Sequence, residues 1–295
     1  MEKIRKLAVL GVGLIGGSFA SALKQAGAVE RVVGFGRNPE RLKQALTRGV
    51  VDEIESSVAT AVSEADLIML ATPVAQAAKL FAEIAPALTK HTLISDVGST
   101  KRDVISAARS VLGPAFTRFV PGHPIAGAES SGVGAARADL FRGRQVVLTP
   151  EADTDAAALE RMREVWQTCG AEVSVLDAKT HDEIFASVSH LPHMLAFVLV
   201  DLLAERENAA QLFSFCGSGF RDFTRIAGSS PEMWRDIALA NRDALARELA
   251  AYRSALDTLG QLIAAGDGVA IEQLFARARD SRNRYLNPQH TLDQV

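Results

Sequence analysis

One pattern constrains the first 176 residues more than any other: short apolar runs of strand length alternate with segments whose apolar residues recur at helical spacing. "KLAVLGVG" is such a run and stops on glycine. "LIGGSFASALKQAG" follows at helical period and closes on Gly27, a residue suited to a helix C-terminus. "RVVGFG", "ADLIMLATPV" and "HTLISDVGS" repeat the strand pattern, with "PERLKQALTRG" and "QAAKLFAEIAPAL" as the helices between them. Such alternation predicts a parallel sheet with helices on both faces. "TRFVPGHPIAG" supplies a further strand ending at His123; "RQVVLTP", a helix from about Asp153 to Cys169 and "AEVSVL" complete the domain near Leu176. Beyond it the β-like runs disappear and helical patterns dominate. A chain of 295 residues is natural for two domains, so residues 1–176 are expected to form an α/β domain and residues 177–295 an all-α domain.

A net charge of -3 gives no electrostatic bias toward nucleic acid or anionic membrane, and neither is expected as a partner. Cys169 and Cys216 are far apart and match no metal-ligand spacing, which suits free thiols in the cytoplasm. Glycines interrupt the N-terminal apolar run, so no secretory leader is expected. No segment is read as long and apolar enough to span a bilayer.

Where the first strand turns into the first helix the sequence is Gly11-Val-Gly13-Leu14-Ile15-Gly16. The first glycine permits a tight turn, the second admits a pyrophosphate close to the backbone, and the third lets helix and strand pack closely, so residues 1–176 are expected to be a dinucleotide-binding domain. The end of the second strand carries Arg37 and Asn38 where a ribose-binding carboxylate would stand in an NAD site. Arg37 can pair with a 2′-phosphate, favouring NADP with NAD possible, or it can be a solvated surface residue. Ligands bind beyond the carboxyl ends of such strands, which here carry Thr72-Pro73 as a wall beside the cofactor, Ser99, and His123 in "VPGHPIAG". Ser99 either caps the helix that begins near Lys101 or meets a substrate hydroxyl. His123 sits between two prolines on a stiff bend, where a side chain that must be aimed would sit.

In the second half, "SHLPH" places His190 and His193 three apart, with Pro192 suggesting a helix start or kink. No third ligand at a recognisable spacing accompanies them, so no metal is expected. "GSGFRDFTRIAGSSPEMW" sets Arg221 and Arg225 against one Asp222, a cationic surplus suited to a carboxylate-bearing substrate. From Pro231 to about Ala265 one long helix is predicted. Its apolar seam, Leu245, Leu249, Tyr252, Leu256, Leu259 and Ile263, fits a homodimer.

"GVGLIGGS", "ATPV", "DVGSTK", "GHPIAGAESSG", "SHLPH", "GFRDFTRIAGSSPEMW" and the Asn241-Arg242 pair, in this order, closely resemble the prephenate and arogenate dehydrogenase family of tyrosine biosynthesis. The resemblance spans nearly the whole chain. It implies NAD(P)-dependent oxidative decarboxylation of prephenate to 4-hydroxyphenylpyruvate, of arogenate to tyrosine, or of both. It implies His123 as the base that takes the proton of the ring 4-hydroxyl, and Ser99 as the partner that shares this hydroxyl. Arg225 resembles the clamp on a substrate carboxylate. His193, Ser189 and Trp234 match positions lining the pocket, and Glu129 matches one near its mouth; Ala128 departs from the hydroxyl residue some relatives carry. The helical domain is implied to dimerise, and tyrosine is a candidate competitive inhibitor. From the glycine loop alone, an imine or hydroxy-acid oxidoreductase and a non-catalytic cofactor sensor are the rival readings.

Overall fold

The computed structural model describes residues 2–127, 130 and 132–286. Six strands form a parallel sheet: β1 (Ile4–Leu10), β2 (Val29–Phe35), β3 (Glu53–Ile54), β4 (Leu67–Leu70), β5 (Leu93–Asp96) and β6 (Phe119–Val120), in the order β3-β2-β1-β4-β5-β6. Because side chains alternate along a strand, β1 feeds two cores at once. Leu7 and Val9 pack with Phe19, Phe141 and Trp166 on one face, and Ala8 and Leu10 with Ile68, Phe81 and Phe119 on the other. The strand order reverses between β1 and β4, which opens a crevice at their carboxyl ends.

The structure corrects the expected course around His123. The chain leaves the parallel sheet at Pro121, and β7 (Gly122–Pro124) joins a separate three-stranded sheet with β8 (Gln145–Leu148) and β9 (Glu172–Val175). In it β7 runs antiparallel to β8, with His123 opposite Val147, and β8 runs parallel to β9. Proline has no N–H for a ladder, so a change of sheet at Pro121 sacrifices no hydrogen bond.

From Ala178 onward every described element is a helix. The expected long helix from Pro231 is broken: Pro231–Ala240 and Arg242–Ala265 are separate, and Asn241 between them leaves the helical region (φ -108°, ψ 28°). Its side-chain amide has other partners, described below, and holds the break. The membrane expectation also needs correcting. Ala178–Ala204 forms one 27-residue helical run whose most apolar 18-residue stretch has a mean hydropathy of 1.5, long and apolar enough to cross a bilayer by length and composition. The run continues through Pro192 because residues Ala186–His190 widen into a π-turn just ahead of it, a geometry that accommodates a missing N–H.

The change from α/β to helical structure falls between β9 and Ala178, whereas the chain's two compact units divide between Leu245 and Ala246. The second unit comprises most of the helix Arg242–Ala265 and the helix Gly268–Leu286, with a turn at Gly266 (φ +66°). Tyr252, Leu256 and Ile263 of the expected seam are exposed there.

Candidate active site

The glycine loop occupies the reversal in strand order. Gly11 has φ +106°, and a Cβ there would strike the Ala71 carbonyl at the end of β4; a Cβ at Gly16 would strike the Gly11 carbonyl. Gly13 instead faces open space, and the helix Leu14–Gln25 that follows has no side-chain cap. Its first amides and the unfilled space above Gly13 fit a pyrophosphate, with half-buried Leu14, Ile15, Thr72 and Pro73 as the surrounding wall. Asn38 caps the helix Pro39–Thr47, its Oδ1 accepting from the Arg41 amide at 3.1 Å. Arg37 is exposed, with Nη2 3.8 Å from Glu232 Oε1.

On the next strands the polar groups turn inward. Asp96 ends β5, and its carboxylate accepts from the Gly98 amide at 2.8 Å and the Gly122 amide at 3.2 Å. Lys101, fully buried, donates to Asp96 Oδ2 at 2.5 Å and to the Gly122 carbonyl at 2.7 Å. One ion pair thus grips both polar groups of the residue before His123.

Asp182, 2% exposed, reaches across from the helix Ala178–Phe185. Its two carboxylate oxygens accept from the Lys101 amide at 2.8 Å and the Arg102 amide at 3.0 Å, capping the helix Arg102–Leu112. The two amides that a capping Ser99 would take are thus held by Asp182, and Ser99 is half-buried beside them. Asp182 Oδ1 also accepts from His181 Nδ1 at 2.8 Å, and His181 Nε2 lies 2.9 Å from His123 Nδ1. Asn241 completes the frame. Its Nδ2 donates to the Asp182 carbonyl at 2.7 Å and lies 3.2 Å from His190 Nδ1.

Burial dominates the electrostatics. It holds His123 well below the ordinary imidazole value, with the His181, Lys101 and His190 charges acting in the same direction. His181 is lowered by burial, against the opposing pull of Asp182, and His190 is lowered by burial to about 4. Asp182 lies below the usual carboxyl range: burial pushes it up, and His181 with the Arg102 and Lys101 amides outweighs that push.

The structure brings His123, Ser99, His190, His193 and Trp234 into one compact unit with the glycine loop. The SHLPH histidines take different partners. His190 turns to Asn241, while His193 donates from Nδ1 to the Ser189 carbonyl at 2.8 Å and stacks on Trp234 with ring centroids 3.7 Å apart. Burial also lowers His193, and the Arg225 charge adds to the shift. Arg225 itself is exposed at the start of a short 3-10 turn. Glu129 and Ala128 lie outside the described residues. Sequence patterns did not single out Asp96, Lys101, His181 or Asp182. The available signal was an adjacent His-Asp pair eight residues ahead of SHLPH, and "DVGSTK" itself.

A glycine loop at the switch point of a parallel sheet, with a neutral buried imidazole beyond the neighbouring strands, defines a dehydrogenase that uses a nicotinamide dinucleotide. The chain belongs to the prephenate dehydrogenase family. Residues 19–175 match the family's "Prephenate dehydrogenase, nucleotide-binding domain" and residues 177–277 its "Prephenate dehydrogenase, dimerization domain". It is 38% identical to prephenate dehydrogenase of Bacillus subtilis over 92% of this chain and 74% of that protein. It is 34% identical to cyclohexadienyl dehydrogenase of Zymomonas mobilis over 96% of each. The structure of Aquifex aeolicus prephenate dehydrogenase in complex with hydroxyphenyl propionate and NAD+ superposes with a TM-score of 0.89, at 34% identity, over 95% of this chain and 98% of that one.

Proposed function

We propose that this protein catalyses the NAD(P)-dependent oxidative decarboxylation of prephenate, arogenate or both, in tyrosine biosynthesis. The observation that carries the reading is His123, buried and neutral, anchored through Gly122 by the Asp96–Lys101 pair in the unit that holds the glycine loop. In this reaction the ring 4-hydroxyl loses its proton, C4 loses a hydride and the ring carboxylate leaves as CO2, so the ring becomes aromatic and its phenolate oxygen takes the proton back. The bound nicotinamide supplies the hydride acceptor. His123 accepts the hydroxyl proton, which a neutral imidazole can do and an imidazolium cannot. Ser99 shares that hydroxyl. Arg225 binds a substrate carboxylate, His193, Ser189 and Trp234 line the pocket, and Glu129 belongs near its mouth; these roles follow the family resemblance. Because aromatisation drives the reaction, the protein's main work is alignment.

Residues 1–176 then hold the cofactor, and residues 177–295 the substrate and a second copy of the chain. Arg37 favours NADP. Its partner Glu232 is exposed, and an exposed pair is worth only ~0–1 kcal/mol, so a 2′-phosphate can displace it. The exposed Tyr252, Leu256 and Ile263 suit a homodimer, the two free thiols suit the cytoplasm, and tyrosine competes with substrate. Four assays test the proposal: prephenate and arogenate, each with NAD and with NADP, following reduced cofactor and aromatic product. Turnover with NADP preferred is expected, and Arg37→Ala should raise the KM for NADP and leave that for NAD unchanged. No turnover in any pair sinks the proposal.

A further inference from the structure

The chain Asp182–His181–His123 has a direction that follows from what each group can donate. Asp182 already accepts from two main-chain amides, those of Lys101 and Arg102. A carboxylate held by such donors has only acceptor atoms to offer. The nitrogen 2.8 Å from its Oδ1, His181 Nδ1, therefore carries a hydrogen. Neutral imidazole has one N–H, so His181 Nε2 is bare. Across 2.9 Å it faces His123 Nδ1, and two bare nitrogens would repel at that distance. His123 must therefore donate from Nδ1.

We propose that His181 and Asp182 are positioning residues that hold the hydrogen of His123 on Nδ1 and so leave Nε2 bare as the proton acceptor. The proposal rests on the reading of His123 as the base. The geometry leaves little room for another arrangement. His181 is fully buried and Asp182 nearly so, and the Phe185 ring, 4.7 Å from that of His123 and 4.5 Å from that of His181, closes one side of the pair. The other charged or titratable groups whose fields reach His123 are Lys101 and His190. Lys101 is committed to Asp96 and the Gly122 carbonyl, and His190 meets the Asn241 amide, so neither replaces His181 at Nδ1. The carboxylate thus acts on the base through an intervening imidazole and never touches substrate.

Asp182→Asn tests the direction. The amide can present N–H to His181 Nδ1, which moves the His181 hydrogen to Nε2, strips Nδ1 of His123 and places a hydrogen on the nitrogen that must accept a proton. The kcat of this variant is expected to fall ~10²- to 10⁴-fold with KM little changed. His181→Leu, which offers no acceptor, should lose kcat similarly. His181→Gln, whose carbonyl oxygen can accept from His123 Nδ1, should recover a large part of it; a packing role would not distinguish these two variants in that way. Since Asp182→Asn also touches a helix cap, the His181 pair keeps the test decisive if that variant fails to fold.

Nitrogen-15 NMR of histidine-labelled enzyme, without substrate and at neutral pH, reads the tautomer directly. The expected spectrum has His123 protonated at Nδ1 in the wild type and at Nε2 in Asp182→Asn. A wild-type His123 protonated at Nε2, or equal kcat for His181→Gln and His181→Leu, overturns the proposal. His123→Asn separates the two layers. Undiminished kcat in that variant removes His123 as base, whereas the NMR assignment still decides the tautomer.

Discussion

The His123 ring lies against Phe185 and His181, and burial disfavours its charged form, so the folded protein keeps this imidazole ready to accept a proton. The acidic limb of kcat/KM, which reports the free enzyme, is therefore expected below the ordinary imidazole value of ~6.5. His123→Asn should abolish that limb and lower kcat by ~10²- to 10⁴-fold, with KM close to wild type. Steady-state rates across pH check both statements, and a limb that survives in the variant assigns the titration to another group. Arg225→Ala should act the opposite way, raising KM with a smaller effect on kcat, because its task is to hold a carboxylate rather than to move a proton. At this scale the sequence was most informative where a residue type is chemically irreplaceable. The glycines at 11, 13 and 16 and the histidine between two prolines stand out in a linear reading. His181 and Asp182 do not, because their meaning depends on Lys101 and Arg102, some eighty positions away in the chain.

Among the elements, β7 shows how a three-residue strand can be positioned firmly. The Asp96–Lys101 pair, with side chains 5% and 0% exposed, bonds both the amide and the carbonyl of Gly122. Removing one partner leaves a buried charge uncompensated, a change that typically costs about 3–5 kcal/mol. Lys101→Met is thus expected to lower the urea midpoint strongly and to reduce kcat as β7 loosens; a variant of unchanged stability would show that the pair is solvated. Alternation of strand and helix was legible because periodicity is a local property, and so the parallel sheet was anticipated. Three departures were not local. The sheet change at Pro121 requires β8 as a partner, the break at Asn241 depends on the Asp182 carbonyl and His190, and the passage through Pro192 depends on the π-turn ahead of it.

For the molecule as a whole, packing three neutral histidines into the unit that ends at Leu245 ties stability to pH. His123, His181 and His190 all have folded values below the ordinary one, while the unfolded chain titrates them at ~6.5. Above that pH both states leave them neutral, and their burial places no demand on protons. As pH falls through it, the unfolded chain gains protons that the folded chain refuses, so stability declines by up to ~1.4 kcal/mol per pH unit for each histidine. For His190 this decline continues to about 4. Asp182 contributes a separate loss at lower pH, because its folded carboxyl titrates below the unfolded one and its stabilisation disappears only once both are protonated. Urea unfolding at neutral pH and near the lower end of the histidine window should give a midpoint that falls steadily between them. His190→Gln should flatten that slope by one proton's share. The series needs two protein concentrations, since a homodimer adds a concentration-dependent contribution that a buried histidine does not. A midpoint independent of pH across the window would mean that these imidazoles take up protons without unfolding, and the neutral base assigned to His123 would lose its structural basis.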